Sequence, residues 1–299
     1  MILPTLRQLQ FFASLARNKS FSRAADECCV SQSTLSAGIK ELETLLDTML
    51  VDRSSRQFCL TAIGEDVAVR AEEMLGLARD MVRAAEARPP LSGDLRLGLI
   101  PTIGPFLLPR VMDVLRESYP DLRLFLREEL TDQLVDGLRA GRIDIAVLAL
   151  PIEAEGLDTL IFQEDPFVFA CPSDHPLADR QSVSPEELGA ERLLLLEDGH
   201  CLRDHALSAC QLMERETAEA FGATSLLTLA QMVRSGLGTT LLPQLAVDQG
   251  LAAAAGIVTI PVVDEAGNRP SRDLGLAWRH GSGREAEARE LAAAIAPAG

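Results

Sequence analysis

The chain has 299 residues, 47% of them hydrophobic and 24% charged, with a formal net charge of −16. That length suits about two domains with real cores, and no apolar run approaches the roughly 20 residues of a membrane span. A compact apolar leader with a cleavage site is missing from MILPTLRQLQFFASLARNKS, so the cytoplasm is expected, with six cysteines held there as thiols and no membrane partner.

The charge is unevenly distributed. Residues 1–65 hold seven basic side chains (Arg7, Arg17, Lys19, Arg23, Lys40, Arg53, Arg56) against seven acidic ones, so the negative excess lies in residues 66–299. A near-neutral head on an acidic body permits a nucleic-acid-binding head without demanding one.

Leu6, Leu9, Phe12, Leu15 and Ala16 recur at helical spacing, which predicts an amphipathic helix over 5–17. Ser20 opens a second helix through Ala24, Ala25 and Cys28. Ser31 caps a third, whose apolar stripe is Leu35, Ile39, Leu42, Leu45 and Leu46. Gln32, Ser33, Thr34 and Ser36 then face outward in its opening turns. Two short helices joined by a tight turn form a helix-turn-helix pattern. Short hydroxyl side chains let such a helix sit deep in a major groove, with Gln read against adenine and Lys40 and Arg53 on backbone phosphates. A small helical bundle with a polar surface fits the same spacing.

Between Thr61 and Ala87 there is no proline, and Val67, Ala71, Met74, Ala78, Met81 and Ala85 alternate by threes and fours. This heptad seam predicts a linker helix over 61–88 that pairs with its twin; a helix lying on its own domain is the alternative. A symmetric dimer would present two recognition helices to a pseudo-palindromic operator in double-stranded DNA. Arg88-Pro89-Pro90 ends the helix.

Beyond Asp94, apolar runs at 95–100, 122–127, 143–150, 166–172, 192–197, 238–243, 257–262 and 274–278 read as buried strands. Helical stretches near 106–118, 131–140, 225–236 and 284–296 lie between them. The rhythm predicts parallel α/β sheets in a regulatory domain over 93–299. Two subdomains are expected, one of about 93–165 with 271–299 and the other of about 166–270. Thr102 and Thr131 are placed to face a cleft between them, or simply to cap helices.

The segment EDGHCLRDHALSAC holds two thiols nine residues apart. Read as a helix over 201–214, it sets Leu202, Ala206, Ala209, Cys210 and Met213 on an apolar face, with Cys201, His205 and Ser208 on another. Nine residues of helix rise roughly 13–14 Å, whereas a disulfide needs Cα atoms within about 7 Å. Cross-linking must therefore unwind the segment. Cys201 at a helix N-terminus beside Arg203 is expected to favour the thiolate and to react with peroxide, with Cys210 held in reserve. Position alone leaves two buried, inert thiols equally open, and Cys28, Cys29, Cys59 and Cys171 are read as buried small hydrophobes. His200, Cys201, His205 and Cys210 lack the close pairs of a zinc site, so neither metal nor cofactor is expected.

The stretches SFSRAADECCVSQSTLSAGIKELE and LVDRSSRQFCLTAIGE resemble the winged helix-turn-helix of LysR-type regulators, with F-x-x-A-A, V-S-Q-x-x-L-S and L-T-x-x-G in order. Ser33 replaces a common proline, and Asp47 the glycine that usually closes the recognition helix. GLIPTIGPFLLPR, LLEDGHCLRDHALSAC, ATSLLTLAQMVRSGLGTTLLP and RDLGLAWRHGS are similar to the regulatory domain of peroxide-sensing members of that family. The resemblance implies an N-terminal winged helix-turn-helix over 1–65 and a body of two subdomains like a periplasmic binding protein. It also implies that Cys201 reacts with hydrogen peroxide and Cys210 resolves it. Thr102, Thr131, Gly199, His200, Asp204 and Arg272 match positions that hold peroxide or support the thiol. A homodimer or homotetramer, contact with RNA polymerase and a glutaredoxin or thioredoxin reductant are implied as well. A regulator reading a small organic effector, a thiol peroxidase and a solute-binding protein are the competing readings.

Overall fold

The computed structural model describes residues 3–52, 58–86, 88–152, 155–197, 199–210 and 222–296. It divides into two units, Met1–Arg88 with Asp136–Ile143, and Pro89–Val135 with Asp144–Gly299.

The first unit opens with α1 (Leu6–Asn18), α2 (Phe21–Glu27) and α3 (Gln32–Leu46), followed by strands β1 (Val51–Asp52) and β2 (Cys59–Leu60) and the long helix α4 (Ala62–Glu86). Each start has a chemical cause. Thr5 forms a capping box with Gln8, Ser20 accepts from Arg23 N–H, and Ser31 accepts from Thr34 N–H. The helices close on Leu9, Phe12, Leu15, Leu35, Ile39 and Leu42, all buried. Gly38 lets α3 meet the Phe11 ring, where an added Cβ would lie 2.7 Å from Cδ2. Asp47 ends α3 in the left-handed region (φ 49°, ψ 40°), the work glycine usually does, which Asp tolerates.

The wing is fixed from below. Buried Glu43 accepts the backbone N–H groups of Leu50 and Val51 at 2.9 and 3.2 Å. β1 and β2 pair antiparallel. At Gly64 an added Cβ would strike the Leu50 carbonyl oxygen at 2.1 Å, which is the physical content of the L-T-x-x-G pattern.

The expected seam on α4 needs correction. Ala71 is buried in the helix-turn-helix core with Val67 packed beside it, while Met74, Leu77 and Met81 are 47%, 60% and 70% exposed. The first half of the helix is therefore held by its own domain. The stripe left open lies at i, i+3, i+7 in the second half and includes Leu77, which stands outside the heptad seam.

The second unit runs through β3 (Gly93–Leu99), α5 (Gly104–Ser118), β4 (Leu122–Glu128), the start of α6 (Thr131–Arg139, counted with the first unit from Asp136), β5 (Ile145–Leu150) and β6 (Leu157–Cys171). It continues through α7 (Pro185–Leu188), α8 (Cys201–Ala209), α9 (Leu226–Arg234), β7 (Thr240–Pro243), α10 (Gln244–Asp248), α11 (Leu251–Ala255), β8 (Val258–Pro261), β9 (Ser271–Arg279) and α12 (Glu285–Ile295). Strands follow the order β4-β3-β5-β9-β6-β7, with β8 also on β6.

The sheets are mixed rather than parallel. β3 runs parallel to β4 and β5, but β9 is antiparallel to β5 and β6, and β7 and β8 are antiparallel to β6. Helical crossovers make their flanking strands parallel, whereas β6 and β9 pair with each other in opposite directions over their length. β6 pairs with β9 from Leu157 to Pro166, then with β7 and β8 from Phe167 to Cys171. Its first half alternates in burial and has no apolar run, so only the part from 166 was expected. Residues 192–197 form no strand, only isolated bridges at Leu193 and Leu196. The core around Phe167, Phe169, Leu194, Leu229, Leu242 and Ile260 underlies α8.

Candidate functional site

The site is built on strand β9. Arg272 is buried, with its side chain fully shielded from solvent, and Nε donates to Oδ2 of Asp165 at 3.0 Å. Asp165 is its register partner on β6, and its other carboxylate oxygen accepts the Leu245 N–H at 2.8 Å. Nη2 also meets Asp165 Oδ2 at 2.9 Å, and the guanidinium reaches Thr102 through Nη1 to Oγ1 at 3.0 Å and Nη2 to the carbonyl at 3.1 Å. A buried charge in such a position requires a partner and filled hydrogen bonds, and both are present.

Thr102 lies after β3 and outside α5, whose N-cap is Ile103, so it is not a helix cap. With its hydroxyl oxygen already accepting from Arg272, its O–H is left to donate. A small, partly open cavity adjoins it, with a volume of about 10 Å³, lined by Ile100, Thr102, Leu130, Thr131, Gly199, His200 and Cys201. Thr131 is the first residue of α6, yet its Oγ1 is buried and has no hydrogen-bond partner among the described residues. A buried hydroxyl without a partner costs free energy, and here it faces a space that a small polar molecule can enter. Gly199 holds φ +94°, a left-handed conformation that suits glycine, and an added Cβ would meet Leu130 at 3.4 Å.

Cys201 is the first residue of α8, after the N-cap His200, and is half-buried. Burial pushes its thiol above the ordinary range. The Thr131 hydroxyl, ready to donate to a thiolate, and the Arg272 charge both pull it back, and exposed Asp204 adds to the rise. The expected thiolate therefore needs correction. Desolvation outweighs the helix N-terminus, and the cation acting on the sulfur is Arg272, 71 positions away in sequence, instead of neighbouring Arg203. Arg203 is half-buried and Asp204 exposed, and neither lines the cavity.

Helix α8 stops at Ala209 rather than 214, with Cys210 as its C-cap; Met213 lies outside the described residues. Cys210 is buried beside Leu202, Ala206 and Leu207, and burial pushes its thiol up to about 12. Both thiols are free. They lie at the two ends of an intact helix, a rise of roughly 13–14 Å, far beyond disulfide reach.

Of the four cysteines read as buried, only Cys171 is; its burial raises it to about 11. Cys28 is half-buried, and Cys29 and Cys59 are exposed, because they lie in the turn before α3 and on a wing strand. Among the described residues, no group of three or more His, Cys, Asp or Glu side chains converges as metal ligands would.

On α3, Gln32, Ser33, Thr34 and Lys40 are exposed and Ser36 half-buried. Ser31 Oγ contacts Ser33 Oγ and Thr34 Oγ1 at 2.8 Å each while capping the helix, so these hydroxyls are engaged with one another. Arg53 lies outside the described residues.

Two parts of the site were missed in sequence. Asp165 gives no signal, being an ordinary acidic residue before an apolar run, 107 positions from Arg272. Leu130 and Ile100 look like any core residues.

Residues 6–65 match the model "Bacterial regulatory helix-turn-helix protein, lysR family" and residues 88–298 the "LysR substrate binding domain". The chain is 41% identical over 286 residues to the HTH-type transcriptional regulator EstR of Acinetobacter baylyi, covering 95% of this chain and 94% of that one. It is 39% identical over 291 residues to the DNA-binding transcriptional dual regulator OxyR of Escherichia coli, covering 97% and 94%. A cysteine-to-aspartate variant of full-length OxyR from Pseudomonas aeruginosa superposes with a TM-score of 0.83 at 35% identity, covering 99% and 95%. A peroxide-bound cysteine-to-serine variant of Corynebacterium glutamicum OxyR gives 0.67 at 35%, covering 98% and 92%.

Proposed function

The chain belongs to the LysR family of bacterial regulators, and from that premise we propose that it is a transcriptional regulator switched by hydrogen peroxide at Cys201. The observation that carries the reading is the cavity in which the Cys201 sulfur meets an unpartnered Thr131 hydroxyl and the Arg272-held Thr102. Peroxide fits there by its chemistry: two oxygens, each donor and acceptor, matched by two hydroxyls and the His200 ring.

The sulfur attacks one peroxide oxygen. The S–O bond forms, the O–O bond breaks, and the departing oxygen leaves as water after taking up the thiol proton, giving a sulfenic acid. Arg272 and the threonine hydroxyls stabilise the negative charge on sulfur and leaving oxygen. Cys210 then condenses with the sulfenic acid, releasing a second water and forming a disulfide. That step requires α8 to unwind and Cys210 to leave its apolar contacts. A dithiol protein of the glutaredoxin or thioredoxin class returns the pair to thiols.

The output is DNA. Gln32, Thr34, Ser36 and Lys40 of α3, with Ser31 and Ser33 setting its N-terminus, meet a half-site, Arg53 adds a phosphate contact, and α4 joins two heads over a pseudo-palindromic operator. The working form is a homodimer or homotetramer in the cytoplasm, in contact with RNA polymerase, and is not an enzyme. The domain division is 1–65, 61–88 and 93–299, with subdomains meeting near residues 165 and 271.

A second reading has one specific support: EstR, whose name carries no peroxide, is as similar as OxyR. On it, the same cavity takes an organic effector. Cys201→Ser decides between them. Operator footprints of the serine variant stay fixed under peroxide if Cys201 is the sensor; a full response in that variant contradicts the reading.

A further inference from the structure

Resting on the peroxide reading above, we infer that Leu130 and Ile100 set the oxidant that Cys201 accepts: hydrogen peroxide enters, and alkyl hydroperoxides are shut out. Among the described residues that line the cavity, these two alone carry bulky apolar side chains. The other walls are a glycine, two hydroxyls, an imidazole and the thiol itself.

The direction of the reaction decides what those walls do. The departing oxygen gathers negative charge, so it is drawn to the cation and to the hydroxyl with an O–H left to donate. Both lie at the closed end: the Arg272 side chain is fully shielded, and Thr102, 3% exposed, is bonded to it at 3.0 Å. Gly199 is exposed, and His200 and Cys201 are half-buried, so they form the open end. The departing oxygen is therefore the inner one. In hydrogen peroxide it carries a hydrogen; in an alkyl hydroperoxide it carries the whole alkyl group.

The closed end has no place for that group. The cavity volume of about 10 Å³ is close to what one water-sized molecule needs, so the inner oxygen fills it. Ile100, buried just after β3, is held by its N–H on the Val147 carbonyl at 3.3 Å. Leu130 is pinned just before α6. Its carbonyl accepts from Leu134 N–H at 3.0 Å, and its own N–H donates to Gln133 Oε1 at 3.4 Å. Leu130 Cδ1 lies 3.4 Å from where a Gly199 Cβ would stand, so this side chain reaches across to the turn before α8. One surplus methylene in an apolar pocket already costs roughly 10- to 200-fold in rate. The two reactions otherwise balance alike. Cys201–SH and ROOH give Cys201–SOH and ROH, the S–O bond forming, the O–O bond breaking and the thiol proton passing to the departing oxygen. Only the size of R separates them.

The test is the initial rate of Cys201 oxidation in the full-length protein, read by mass, with hydrogen peroxide and with tert-butyl hydroperoxide in turn. The ratio of the two rates is divided by the same ratio for free cysteine, which removes the intrinsic reactivity of the oxidants. Wild type should prefer hydrogen peroxide at least about 100-fold beyond free cysteine. Leu130→Ala keeps both backbone hydrogen bonds but opens the wall, and should cut that preference at least about tenfold. A wild-type protein no more selective than free cysteine overturns the inference, and that result needs no variant to fold. A Leu130→Ala protein with the wild-type preference overturns it too. Wild-type Cys201 inert to both oxidants would instead overturn the peroxide reading, and this inference with it.

Discussion

Arg272 and Asp165 face each other across β9 and β6, closed to solvent, and the same guanidinium clasps Thr102 in the turn after β3. Two strands and the turn after a third, far apart in sequence, are thereby locked at one point, beside the reactive sulfur. The cation that acts on Cys201 is part of the framework itself.

Removing one partner of this pair should be severe. Asp165→Asn leaves Arg272 buried without a counter-charge and should cost about 3–5 kcal/mol, read from urea denaturation midpoints. Peroxide should also oxidise Cys201 more slowly, because Arg272 loses the contact that orients it. An unchanged midpoint would mean that the pair contributes nothing.

Thr131 separates function from stability. Its hydroxyl has no partner to lose, so Thr131→Val should leave the denaturation midpoint unchanged or raise it by up to about 1 kcal/mol. Oxidation of Cys201 should slow at least about tenfold, since the hydroxyl no longer holds peroxide or thiolate. Loss of stability with unchanged oxidation would reverse both roles.

Asp144 sets an acid limit. Burial alone would raise its carboxyl, but the Arg96 hydrogen bonds and the Arg284 and Arg96 charges bring it down to about 2 from 3.8. A depressed carboxylate contributes stability above its unfolded value, and that contribution is lost as pH falls from about 4 through 2. The difference corresponds to about 2 kcal/mol. Denaturation between pH 7 and 2 should show wild type losing that much more than Asp144→Asn; parallel curves would contradict it.

The open stripe on α4 should hold the dimer. Leu77→Glu puts a charge between Met74 and Met81 and should raise the concentration for half-dissociation roughly 100-fold or more by sedimentation. Val67→Ala, on the covered side, should lower the stability of the head without that shift.

Local chemistry made the head readable. Ser20, Ser31 and the Leu35–Ile39–Leu42 stripe set helices by their own capping and spacing, and Gly64 marks a close approach to Leu50, only 14 positions away. Cys201 was legible because helix start and thiol lie side by side. What could not be read depends on distance. The Arg272–Thr102 bond spans 170 positions, and the mixed strand directions follow from two strands that pair across the fold. Burial of Cys201, which reverses its expected titration, is likewise a property of the assembled cavity. The run at 192–197 reads like a strand because Leu193–Leu196 are a buried apolar stretch, although they make only isolated bridges.

The central claim is that α8 cannot be both wound and cross-linked. The direct measurement is non-reducing peptide mapping after stoichiometric peroxide, with amide hydrogen exchange followed across residues 199–210 in the same samples. A Cys201–Cys210 bridge should appear together with loss of exchange protection in that segment. Thiols that both remain open to alkylation, or a bridge formed while protection is fully retained, would contradict it.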